Sequence, residues 1–432
     1  MNGLKRAFGV YENPKMIVML ILGFFSALPF VLIFSTLSYW LSDNLVKVEA
    51  IALFSLARLP YSFKFLWSPY IDSVSLPYLS ARLGRRRSWA LVFQVCLIVG
   101  LIALVHTNPL ENPLATGVCA LAVAFFSASQ DIVFDAFRIE YVSQEDQGAA
   151  SAVYVFGYRV GMIVAGAGAL FLSDIVGWTH VYEVLALSGV IGMATILIAS
   201  EPKTAAAPRQ KNFFKDAVVA PIADFVTRKD WLIIILFILT YKLCETSIGT
   251  VVPKLYKEAG FSNTQIATVV KLWGVAATIF GGFLGGALIV KIGVVRSLVV
   301  CGVLQGVSNL PFAVLAVSGN SFFWLTFSIV SDSLASGMAT TAFVAYMSSL
   351  CNTAYTATQY ALLTSLMALP RDLLGASSGW LVALIGWAPF FVFTAFLSLP
   401  GIILIVLLDR RRSARSEALA IREQARASAD TP

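Results

Sequence analysis

Apolar runs of about twenty residues recur along nearly the whole chain, separated by short polar intervals, and this alternation predicts membrane-crossing helices. Hydropathy places the spans near 15–41, 49–71, 88–106, 114–137, 149–173, 181–200, 231–252, 264–290, 296–317, 322–350, 356–379 and 388–408. The first run is longer than the roughly 7–15 residues of a signal-peptide core, shows no small-residue cleavage pattern and is followed by further spans, so it is expected to remain as a helix. Trp40, Trp67, Trp89, Trp178, Trp231, Trp324, Trp380 and Trp387 fall near predicted helix ends, where an amphipathic ring favours the membrane boundary. Trp273 instead lies well inside span eight, where it reads either as packing or as a ring that stacks on a sugar.

Composition agrees with the spacing. Of 432 residues, 58% are hydrophobic and 13% charged, and the mean hydropathy is +0.80, whereas soluble domains carry roughly 25% charge. A net charge of +7 would suit nucleic acid or an anionic surface, but the basic residues gather on no soluble module. With the amino terminus in the cytoplasm, 22 Lys and Arg lie in cytoplasmic segments and three (Lys47, Lys254, Lys257) on the opposite side, an asymmetry that places both termini inside. Five cysteines without C-x-x-C spacing read as small core residues. His106 and His180 sit at span ends, and no G-x-x-x-x-G-K-[ST] loop is present, so no metal, no cofactor and no ATP-driven or enzymatic activity is expected.

The longest polar interval, from Glu201 to Asp230, carries Pro202, an Ala205-Ala206-Ala207-Pro208 stretch and six basic residues. It divides the chain into a six-helix half at 1–200, a cytoplasmic linker at 201–230, a second six-helix half at 231–408 and a polar tail at 409–432. This layout resembles the major facilitator fold: all-α, twelve transmembrane helices, two pseudo-symmetric halves and a substrate held near mid-membrane. Internal symmetry in the sequence is faint, with Leu83-Gly84-Arg85-Arg86-Arg87 after span two answered only by Lys291-Ile292-Gly293 after span eight. Gly157 and Gly161 in span five, and Gly281, Gly282, Gly285 and Gly286 in span eight, have the spacing that lets helices approach closely. In the fold proposed, spans five and eight meet, and these glycines serve either a breakable contact or static packing.

A charged side chain at membrane depth costs about 2.5–3.5 kcal/mol on insertion scales, so each is a candidate for function. The basic set is Arg58, Lys64, Arg159, Lys242, Lys271 and Arg371; the acidic set is Asp131, Asp135, Glu245, Asp332 and Asp372. Asp131, Asp135 and Arg138 share one helical face of span four. Neighbouring carboxylates in a low dielectric compete to stay ionised, which makes one a candidate proton carrier; the alternative is a structural latch with Arg138 or with Arg85, Arg86 and Arg87. Lys64 and Asp72 bracket the cytoplasmic end of span two, and Lys242 and Glu245 are spaced to pair. Arg58, Arg159 and Lys271 have no local partner in the sequence, and surplus cations imply an anionic substrate.

Several blocks resemble the AmpG muropeptide permease family: Leu59-Pro60-Tyr61-Ser62-Phe63-Lys64-Phe65-Leu66-Trp67-Ser68-Pro69 running to Asp72, Gly84-Arg85-Arg86-Arg87, Ser129-Gln130-Asp131-Ile132 to Arg138, Tyr355-Thr356-Ala357-Thr358-Gln359-Tyr360 to Pro370-Arg371, and Ser378-Gly379-Trp380. The resemblance implies a bacterial inner-membrane permease that imports anhydromuropeptides with protons for cell-wall recycling. It implies a small anionic glycopeptide substrate, protons and lipid as partners, no nucleic acid, and a monomer. Asp131, Asp135, Glu245 and Asp332 are then the coupling candidates, and Arg58, Gln130, Arg159, Lys242, Lys271, Trp273, Gln359 and Arg371 the substrate contacts. Acetyl-coenzyme A or a small peptide would also suit a cationic path, and a receptor that binds without transporting is the alternative of a different class.

Overall fold

Asparagine and proline start helices where the polar intervals end. Asn13 accepts the amide of Lys15 at 3.1 Å ahead of Pro14, and Asn112 accepts that of Ala115 at 3.0 Å ahead of Pro113, so each side chain satisfies a donor that the first turn leaves open. The computed structural model describes residues 10–44, 57, 59–202, 218–249, 251–262, 265–266 and 268–411, with the backbone alone over 368–377. Arg58 and the tail from 412 onward lie outside the described residues, as do the side chains of Arg371 and Asp372.

Among the described residues the structure is helical throughout, and eight stretches are long and apolar enough to span a bilayer: Pro14–Asp43, Arg85–Val105, Pro113–Tyr141, Gln147–Ile198, Trp231–Glu258, Thr268–Ile292, Val294–Ser318 and Trp387–Arg411. Gln147–Ile198 runs for 52 residues but breaks at Gly177, so it supplies spans five and six. Phe322–Ser349 and Thr356–Ile385, of 28 and 30 residues, fill spans ten and eleven with more polar residues. Span two is described as Leu59–Phe63 and Ser68–Ser73 around a tight turn at Lys64–Leu66.

The chain divides into two compact units. The first comprises Met1–Ala223, Gly282–Lys291 and Phe343–Ser365; the second comprises Asp224–Gly281, Ile292–Ala342 and Leu366–Pro432. The faint repeat of the sequence is sharper in the backbone. Gly84 (φ 87°, ψ 167°) and Gly293 (φ 84°, ψ 163°) each precede the third span of their half, and Gly177 (φ 79°, ψ 158°) and Gly386 (φ 82°, ψ 169°) each precede the sixth. Only glycine adopts this region without strain, so two of the same corners are cut twice along one chain.

Glycine also decides which helices touch. A Cβ on Gly157 would fall 2.0 Å from the carbonyl oxygen of Leu20, and one on Gly161 2.5 Å from that of Phe24, while Gly23 meets Tyr154 in return. The span-five pair Gly157 and Gly161 therefore seats span one, whereas the proposed fold had spans five and eight meeting. Span eight meets the start of span five further along, where Gly148 faces Ile289 and Gly286 faces Ala152 and the Tyr11 hydroxyl. Gly281 lies against the backbone of Leu334 in span ten, and Gly285 is buried.

Candidate functional site

The polar core of the first unit is built on Pro113–Tyr141. Asp131 accepts a hydrogen bond from Ser26 Oγ at 2.5 Å on span one and from Lys64 Nζ at 3.3 Å on span two. The same helix carries Ser127, 2.5 Å from the Tyr61 hydroxyl, and Ser129, which accepts the Trp67 indole N–H at 2.9 Å. One turn on, Asp135 lies 3.6 Å from Arg138 Nη2. Arg138 is fully buried, donates from Nη1 to Ser151 and Ser348 at 3.1 and 3.0 Å, and places its guanidinium against the Tyr154 and Tyr360 rings at 5.4 and 5.3 Å. Burial is tolerated because the cation has a carboxylate, hydroxyls and two ring faces around it.

Toward the end of span four a second cluster forms around Arg86, also with no exposed surface. Its Nε and Nη2 clasp Glu140 at 2.9 and 2.6 Å, the two-bond geometry that a planar guanidinium favours, and Nη2 also reaches Asp72 at 2.7 Å. Asp72 accepts in turn from the Thr358 amide and hydroxyl, both at 3.1 Å, at the first turn of Thr356–Ile385. Arg85 donates to the Asp72 carbonyl. Glu201 closes the other side by accepting the amides of Arg86 and Arg87 at 2.7 and 3.1 Å. Burial pushes the Glu201 carboxyl above its usual range, against the pull of those two amides. The arginines after Gly84 thus neutralise Asp72 and Glu140, not Asp131 and Asp135, whose cations are Lys64 and Arg138.

In the second unit, Lys242 binds Glu245 Oε2 three residues along span seven and Thr340 Oγ1 at 2.8 Å on span ten, while Glu245 Oε1 accepts Ser336 at 2.8 Å. Asp332, also on span ten, is held differently. Its Oδ1 accepts the Gln305 amide at 2.8 Å and the Ser308 hydroxyl at 3.3 Å, both from span nine, and among the described residues no cation lies within ion-pair distance. Asn309 continues the network to Cys244 Sγ at 3.1 Å and Thr394 at 3.0 Å.

The remaining candidates scatter. Gln130 is fully buried and bonds Gln94; Gln359 is 1% exposed, accepts the Asn352 amide at 2.8 Å and donates to the Pro221 carbonyl at 3.1 Å. Both side chains are buried, Gln130 through its Nε2 on Gln94 and Gln359 through both ends of its amide, so neither is presented to a solute in this conformation. Arg159 is half-buried and Lys271 exposed, and neither has a hydrogen bond or ion pair among the described residues. Trp273 is 53% exposed and shares with Lys271 the wide π-helical turn Thr268–Gly274.

A profile of the Major Facilitator Superfamily matches residues 19–373. This chain belongs to that superfamily. Within it, the facilitator is 36% identical to a Rickettsia felis protein named AmpG 4 over 93% of its own length and 98% of the relative's. It is likewise 36% identical to the anhydromuropeptide permease of Escherichia coli K12, over 92% and 80%. These relatives place it in the AmpG permease family. Solved structures agree on the fold: the human organic anion transporter MFSD10 aligns with a TM-score of 0.63 at 15% identity over 93% of the facilitator and 99% of that chain, and the proton:xylose symporter XylE with 0.66 at 11% over 94% and 95%. The facilitator is a multi-pass membrane transporter of a small molecule, not an enzyme.

Several residues of the facilitator's two polar cores escaped the sequence. Glu140 stands two places after Arg138 at the end of a span, where an acidic residue is unremarked because water is near. Ser26, Ser127, Ser129, Gln305, Ser308 and Asn309 are neutral, and hydropathy barely registers one such residue in a run of twenty. Their signal is collective: Ser127, Ser129 and Gln130 crowd the two turns around Asp131, and Gln305, Ser308 and Asn309 fall within five positions of one otherwise apolar helix.

Proposed function

We propose that this transporter imports anhydromuropeptides, GlcNAc-anhydroMurNAc disaccharides bearing a stem peptide, from periplasm to cytoplasm across the bacterial inner membrane. The observation that carries this reading is the 36% identity to the Escherichia coli anhydromuropeptide permease over 92% of the chain. Arg159 and Lys271 support it: both are cations in predicted spans without a described counter-ion, as an acidic stem peptide requires. Import is driven by protons through alternating access of two halves, both termini face the cytoplasm, and the transporter works as a monomer in lipid.

The test is uptake of labelled anhydromuropeptide into proteoliposomes under an imposed pH gradient, with acetyl-coenzyme A as competitor. Accumulation that follows the gradient and resists the competitor is expected. Accumulation of acetyl-coenzyme A instead would reassign the substrate, and binding without counterflow exchange would make the protein a receptor. Replacing Arg159 by Gln should raise KM about tenfold, the equivalent of one lost charge-assisted contact of about 1.4 kcal/mol.

A further inference from the structure

The described polar cores of the two units carry different charge balances. In the first, Asp131 has Lys64 at 3.3 Å and Asp135 has Arg138 at 3.6 Å, so two carboxylates face two cations. In the second, Glu245 and Asp332 share a neighbourhood with one cation, Lys242, and that ammonium is bound to Glu245 and Thr340. Glu245 is further fixed by Ser336 on its other oxygen. Asp332 receives only neutral donors, Gln305 and Ser308, on Oδ1; its Oδ2 makes no hydrogen bond among the described residues. Among the described side chains, one proton makes this second core neutral, and none is needed in the first.

From this we infer that Asp332 is the group that takes up and releases the coupling proton, and that the Asp131–Lys64 pair is structural. The inference rests on the proton-driven reading above and names the side chain that serves it. A proton from water on the periplasmic side forms an O–H bond at Oδ2, which leaves the core with Lys242 and Glu245 paired and Asp332 uncharged. Release to water on the cytoplasmic side breaks that bond and restores the carboxylate. Asp332 is half-buried, and its ionised form leaves one net negative charge among described neighbours that offer it only neutral donors, so loss of the proton is favoured where water has the freest access to Oδ2. Among the described residues, the other titratable groups around Asp332 are Lys242, Cys244 and Glu245 on span seven and Tyr256 on Val252–Glu258. From span nine the groups that reach Asp332 are the neutral Gln305 and Ser308, and the span's charged residue, Arg296, stands nine positions before Gln305.

Proteoliposomes held at zero membrane potential test this. A two-unit pH gradient supports up to about 100-fold accumulation per proton in the wild-type protein, since each unit is worth 1.36 kcal/mol. Asp332→Asn should bring that ratio down to about 1 while counterflow exchange at equal pH persists and loses its pH dependence; Asp332→Glu should restore part of the accumulation. Asp131→Asn should still respond to the gradient. The inference is overturned if Asp332→Asn accumulates as wild type does, if Asp131→Asn alone loses the gradient response, or if Asp332→Asn and Asp332→Glu both lose counterflow together with accumulation. A wild-type protein whose uptake ignores the gradient would instead remove the proton-driven reading itself, and is recognised before any variant is made.

Discussion

The two polar cores differ in how their carboxylates are compensated. In the first unit every described carboxylate of the core has a cation of its own, and Arg86 at the helix ends serves two carboxylates at once. In the second, Lys242 answers Glu245 and leaves Asp332 to neutral donors. Paired charges in a low-dielectric interior fix geometry, because removing either partner strands the other. A carboxyl group held only by an amide and a hydroxyl has no such constraint, since either charge state keeps its partners. The first core is therefore built to hold a shape and the second to change charge.

Arg86 gives that comparison its severest trial. Arg86→Met strands Asp72 and Glu140 together, and a loss of about 3–5 kcal/mol is expected, read as a fall in the thermal midpoint and in folded yield from the membrane. A loss near zero would mean that the cluster is hydrated and does not lock the first unit. Lys64→Met should cost somewhat less, about 3 kcal/mol, because Asp131 keeps Ser26 and some exposure. Adding Asp131→Asn to Lys64→Met should recover most of the loss, since the pair then disappears together. Simple additivity of the two changes in this double-mutant cycle would show that they do not interact.

Packing, by contrast, should respond alike in the two units. Gly157 lies against the backbone of Leu20 and Gly281 against that of Leu334, with a Cβ at 2.0 and 2.2 Å respectively from a carbonyl oxygen. Alanine at either position must push two helices apart, at about 1–3 kcal/mol. Equal losses would confine the difference between the units to their charges; a much smaller loss at Gly281 would extend it to helix contact.

These glycines also mark what the sequence conceals. A four-residue glycine spacing says that some helix comes close, but the partner depends on which helix the fold brings there, and Gly157 and Gly161 seat span one instead of span eight. Local pairs were legible for the converse reason: Asp135 with Arg138 and Lys242 with Glu245 are three residues apart, so the helix itself sets their distance. Asp131 with Lys64, and Arg86 with Glu140, join residues 67 and 54 positions apart, and their pairing awaited the tertiary fold. The spans themselves were readable because the bilayer fixes a length and a polarity for each. Gln130 and Gln359 were singled out by their place in family-like blocks, yet their amides serve Gln94, Asn352 and Pro221.

The smallest expected effect separates the cores most cleanly. If Asp332 rests as the uncharged acid, asparagine is close to an isostere of that state, and its carbonyl oxygen can still accept from Gln305 and Ser308. Asp332→Asn should then change stability by no more than about 0.5 kcal/mol near pH 7. Asp131→Asn has the same change of atoms but strands the Lys64 ammonium, whose side chain is 7% exposed, and should cost several times as much. Measuring both thermal midpoints in one detergent removes the chemistry of the substitution from the comparison and leaves only the counter-ion. Equal losses would mean that Asp332 is ionised and compensated at rest, and the contrast between a locked core and a chargeable one would fail at its central residue.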